Sequence, residues 1–145
     1  MAKKTGFTIM ELIVVLALAV LILSISIVFF SPSAAKSRDA RREQDMKSIQ
    51  NSLNLYINQK GKYPICAAEI VIDGNTDCLS GLILSEGTIE AVPIDPLYKG
   101  AGACGAAGAR VYCYKSADGI SYELRYNLET DSVQGKLPGW QTLTP

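Results

Sequence analysis

A chain of 145 residues with 14 basic and 14 acidic side chains has no formal net charge, so no basic surface recommends nucleic acid as a partner. It contains no histidine, which excludes Ser-His-Asp and Cys-His catalysis and any histidine-ligated metal. Its four cysteines all lie beyond residue 65, as expected of a domain exported to an oxidising compartment.

The chain opens with a short basic leader, residues 1–6, that contains Lys3 and Lys4 and ends at Gly6. From Leu12 to Phe30 no residue is charged, and only Ser24 and Ser26 carry polar side chains. As a helix that run spans roughly 28 Å, about one hydrocarbon core. A secretory signal would put its small-residue cleavage site after the apolar run. Here Gly6 precedes it, so cleavage would leave the apolar segment on the mature protein. Glu11 is out of place in such a segment. An ionised carboxylate in a membrane is costly and is usually paired, yet the run offers no basic residue. The nearest partner is the α-amino group that removal of the leader would create on Phe7. That amine lies one helical turn away in the same chain, or it belongs to a neighbouring subunit.

Lys3-Lys4-Thr5-Gly6, then Phe7-Thr8-Ile9-Met10-Glu11-Leu12, then an apolar helix resembles the class III leader of type IV pilins and type II secretion pseudopilins. The resemblance implies that a prepilin peptidase cuts after Gly6 and methylates Phe7. It implies that Glu11, fifth after the cut, neutralises the terminal amine of an adjacent subunit during assembly. The fold it implies is α+β and pilin-like. Residues 7–31 form a helix in the membrane or filament core. Residues 32–145 form an exported globular domain whose amphipathic helix, 34–60, packs on a small antiparallel sheet. The role it implies is structural and not enzymatic. The partners would be further copies in a helical filament, the peptidase/methyltransferase, the pilus or secretion assembly machinery, and the cytoplasmic membrane. The precursor would sit in that inner membrane and the product in an extracellular or periplasmic filament. A major or minor pseudopilin is the alternative subtype. A membrane-anchored extracellular binding domain is the alternative of a different class.

Pro32, which removes a helix hydrogen bond, predicts a kink or short break, with the helix resuming near Ala34. Arg38, Arg41 and Arg42 suit either anionic lipid headgroups at the membrane exit or a solvated face with local ion pairs. Met46, Ile49, Leu53, Tyr56 and Ile57 recur at helical spacing and predict a core-facing stripe. Gly61 and Pro64 mark the end of the helix.

Residues 65–100 read as irregular, with a turn at Asp73-Gly74-Asn75, a short helix or strand over 79–84, and an extended loop at Val92-Pro93-Ile94-Asp95-Pro96. The glycine- and alanine-rich 100–108 reads as a tight or flexible loop. Arg110–Lys115 and Ile120–Leu128 predict a β-hairpin turning at Ser116-Ala117-Asp118-Gly119. Residues 133–145, with Trp140, form either an edge strand or a tail.

Cys66, Cys78, Cys104 and Cys113 allow three connectivities. Sequence-neighbour pairing is the default, since it closes two short loops worth about 2–3 kcal/mol each. Their spacing does not fit zinc knuckles. The resemblance also raises calcium, through the loop carboxylates Asp95, Asp118 and Asp131. There is no clear series of calcium ligands, and turn aspartates capping backbone groups are the simpler reading. No cofactor is otherwise implied.

Overall fold

The computed structural model describes residues 8–145, and of residues 25–32 it describes the backbone only. The chain separates into two compact units, Met1–Ala35 and Lys36–Pro145. The fold is α+β, with a four-stranded antiparallel sheet of order β1-β2-β3-β4.

Helix α1 is Ile9–Lys60, 52 residues. Thr8 caps its start: the Thr8 hydroxyl accepts the Glu11 N–H at 3.2 Å, and the Thr8 carbonyl accepts the Leu12 N–H at 3.1 Å. Gly61 ends it at φ 74°, with its N–H donated to the Ile57 carbonyl at 2.7 Å. Residues 9–60 are helical without interruption at Pro32, so a break with a second helix starting near Ala34 is not seen.

Within the unit Lys36–Pro145, the α1 stripe behaves as its spacing predicts. Met46, Ile49, Leu53 and Tyr56 are buried in one cluster with Tyr63, Tyr112, Tyr114, Tyr122, Leu124 and Tyr126, and Ile57 lies half-buried against it. Four of these tyrosines bury their rings while the phenol keeps a hydrogen-bond partner. Tyr112 donates to Asp45 at 2.9 Å, Tyr114 to the Pro64 carbonyl at 2.8 Å and Tyr126 to Glu43, while Tyr122 accepts from Gln50 at 3.3 Å.

Strand β1, Cys66–Val71, falls in a region read as irregular. Its sequence alternates poorly, and its pairing with β2 shifts register between Cys66 and Ile70. The strand exists because β2 offers it an edge and Cys66 is bonded to Cys78. Helix α2, Cys78–Ser85, begins at Asp77, whose carboxylate accepts the Ser80 N–H at 2.9 Å. Strands β2, Cys113–Ser116, and β3, Glu123–Leu128, form the expected hairpin, with shorter strands and a wider loop than predicted. Asp118 holds that loop by accepting the Ile120 and Ser121 N–H groups at 2.9 and 3.3 Å. Gly119 is required there: its φ is 74°, and a Cβ would stand 3.1 Å from the Tyr63 carbonyl. Strand β4, Gly139–Leu143, pairs with β3 and settles the C-terminal segment as an edge strand.

The disulfides are Cys66–Cys78 and Cys104–Cys113, the sequence-neighbour pairing, with Cα atoms 6.1 and 6.0 Å apart. The second ties the glycine-alanine loop to β2. Trp140 adds a bond from its indole N–H to the Ala106 carbonyl at 3.0 Å.

Candidate functional site

The first candidate is the start of α1. Its large apolar side chains from Ile9 to Leu23 are all at least 51% exposed. Five consecutive positions, Leu12 to Leu16, are among them, and successive residues are turned by about 100° around a helix. The surface is therefore apolar on every side, unlike that of a helix resting on a single core. The Ser24 hydroxyl donates back to the Val20 and Leu21 carbonyls at 2.9 Å, so it presents no free donor. Among the described residues no helix is long and apolar enough to cross a membrane. The apolar run continues from Ile25 to Phe30, whose side chains lie outside the described residues.

Glu11 sits exposed in the first turn of this helix and has no ion pair among the described residues. A carboxylate there suits the positive end of the helix dipole. Thr8-Ile9-Met10-Glu11 has the spacing of a capping box, a signal the sequence reading overlooked. Gly6 and Phe7, the expected cleavage and methylation positions, lie outside the described residues. Pro32 is described by its backbone alone.

The second candidate is a buried ionic cluster that the sequence reading misjudged. Arg38, Arg41 and Arg42 read as meeting lipid headgroups or as a solvated face with local ion pairs; the local pairs Arg41–Asp45 and Arg42–Asp39 are present, but only Arg41 is largely exposed, at 67% of its side chain against 30% for Arg38. Arg42 is completely buried. Its guanidinium grips Asp95 in a fork, Nε to Oδ2 at 2.7 Å and Nη2 to Oδ1 at 3.1 Å. Its Nη1 donates to Asp39 and to Glu129, both at 2.7 Å. Arg38 makes a second fork on Glu129 at 2.8 and 2.6 Å. Asp39 in turn accepts the backbone N–H groups of Glu129 at 3.0 Å and Thr130 at 2.8 Å, and the Thr130 hydroxyl at 2.7 Å. One helical turn is thereby bolted to the Asp95 loop and to the end of β3. Asp39 is a neighbour in the same helix, but Asp95 and Glu129 come from sequence separations of 53 and 87, so those two partners could not be read locally.

The cluster polarises its members. The Arg38 fork, aided by Arg42 and the charge of Arg110, holds the Glu129 carboxyl at about 2, down from an ordinary 4.5, against the effect of burial. Burial works to raise the Asp39 carboxyl, but the N–H and hydroxyl donors of Glu129 and Thr130 and the Arg42 guanidinium bring it below the usual value. Groups depressed in the folded state contribute stability above their unfolded pKa and lose it as pH falls through the folded one. The folded state therefore favours ionised Glu129 at neutral pH, and that preference is lost as pH falls from 4.5 through about 2. Asp45, raised by desolvation against its bond from Tyr112, acts in the opposite sense. Glu129→Gln should flatten the acid limb of stability over that window, as seen in urea midpoints measured from pH 6 to 2. An unchanged acid limb would contradict this assignment.

The calcium candidates do not converge. Asp95 is spent on Arg42 and the Leu97 N–H, Asp118 closes the hairpin loop, and Asp131 is exposed. Among the described residues the group with metal-like proximity is Glu69, Cys104 and Cys113. Its two sulfurs are joined in a disulfide, so no thiolate is present to bind. No protein-family model, curated protein or solved structure matches this chain.

Proposed function

We infer that this chain is the structural subunit of a type IV pilus-like filament, made as a membrane precursor, cut after Gly6 and N-methylated on Phe7. The observation that carries the reading is the N-terminal pattern: a basic leader ending in glycine, Phe7, and Glu11 at the head of an uncharged apolar run. The apolar circumference of α1 from Leu12 to Leu23 supports it, since such a surface needs hydrocarbon or other apolar helices on all sides. In the filament these helices form the core, and the disulfide-bonded unit Lys36–Pro145 faces outward. A secretion pseudopilus subunit would use the same leader. The two disulfides, more usual in pilins than in major pseudopilins, favour the pilus.

The test is mass spectrometry of the mature protein in filaments sheared from cells. A chain beginning at methylated Phe7 is expected. A chain beginning at Met1 or Ala2 and confined to membranes would replace this reading with that of a membrane-anchored extracellular domain.

A further inference from the structure

The face that α1 turns to the sheet carries Arg42, Met46, Ile49, Leu53 and Tyr56 in succession, all buried. Of the last four, Met46, Ile49 and Leu53 are apolar and of comparable bulk, and Tyr56 is larger and ends in a hydroxyl. A slip of one step along this stripe, about one helical turn or 5.4 Å, would put Ile49 in the place of Met46, Leu53 in that of Ile49 and Tyr56 in that of Leu53. Apolar interiors tolerate exchanges of similar volume, so this part of the interface discriminates weakly between neighbouring registers. The ionic cluster does not tolerate them. A slip one way presents Met46 to Asp95 and Glu129. A slip the other way drives the Arg42 guanidinium into the apolar site of Met46. Each alternative buries charge without a partner, which is far costlier than exchanging one apolar side chain for another.

We propose that the Arg42 cluster is a register lock, which fixes the axial position of α1 against the sheet instead of adding net stability. The division of labour follows from the energetics of buried ion pairs, whose desolvation largely cancels their attraction while wrong pairings stay forbidden. Asp95 is suited to the task because its own segment holds it, through the Leu97 N–H at 2.8 Å, and Glu129 meets α1 twice, at Arg38 and at Arg42. The bonds from Tyr112 to Asp45 and between Ser52 and Thr88 fit the same register, at 2.9 Å each. With the lock set, the exposed face of α1 that includes Arg41 and Lys47 keeps a constant offset from the hairpin and loops. The lock lies wholly within Lys36–Pro145 and stands whether or not the chain forms filaments.

The test uses the full chain in detergent, disulfides intact and labelled with nitrogen-15, compared with Arg42→Met/Asp95→Asn. The double variant removes both charges and keeps an oxygen for the Leu97 N–H. It is expected to fold with a thermal midpoint near that of the parent, and to show two or more sets of amide resonances for α1 residues 43–60 where the parent shows one. A single set retaining the parent's contacts between Leu53 and the sheet would overturn the proposal. So would a double variant that does not fold, since the cluster would then be a source of stability and not of register.

Discussion

Arg42→Ala is expected to lower the stability of the Lys36–Pro145 unit by about 3–5 kcal/mol, a large part of what a domain of this size possesses. The loss has two sources. Asp95, 2% exposed, loses both guanidinium bonds and keeps only its backbone donor. Asp39 and Glu129 each lose one bond, although the Glu129 and Thr130 N–H groups and Arg38 still hold them. A cavity the size of an arginine stem also opens in a well-packed interior. Urea unfolding followed by circular dichroism measures the effect, with Arg41→Ala as the control. Arg41 lies in the same turn, but its side chain is 67% exposed and 4.0 Å from Asp45. Its loss should shift stability by no more than about 0.5 kcal/mol. Equal midpoints for the two variants would show that the buried network carries no stability that truncation can remove.

Glu11→Gln should abolish or reduce filament yield by more than about tenfold while leaving the start of α1 intact. Two roles compete for this residue. In the local one, Glu11 complements the helix dipole, worth about 0.3–1 kcal/mol, and its N–H receives the Thr8 cap. In the proposed one, its charge pairs with the terminal amine of an adjacent subunit. Glutamine keeps the backbone bond to Thr8 and the shape of the side chain and removes only the charge. Thr8→Ala makes the complementary change, weakening the cap by about 1 kcal/mol with the Glu11 side chain unchanged. Quantifying sheared filaments from both variants separates the roles. Full yield from Glu11→Gln, or a loss confined to Thr8→Ala, would reduce Glu11 to a capping residue.

What could be foreseen in this protein was whatever depends on near neighbours in the chain. The stripe from Met46 to Tyr56 was legible because one helix face repeats every three or four residues. The hairpin was legible because Ser116-Ala117-Asp118-Gly119 interrupts two tyrosine-rich runs, and Gly61 because a left-handed residue ends a helix. The disulfide pairing followed the shorter loops, although sequence alone left three connectivities open.

Glu11 and the apolar run behind it belong to this legible class. Charge, spacing and length are written in the sequence itself, and the proposal of a filament subunit rests on them. Tertiary structure alone decided which face of the next turn is buried. In isolation Arg38, Arg41 and Arg42 read as one basic patch, but Asp95 and Glu129 arrive from distant loops and draw two of the three inward. Strands β1 and β4 were decided in the same way, by the open edges of β2 and β3 and not by any alternation of their own. Sequence periodicity reports how a segment divides its own surface. A charge is buried, or a weak strand ordered, only by a partner far away in sequence.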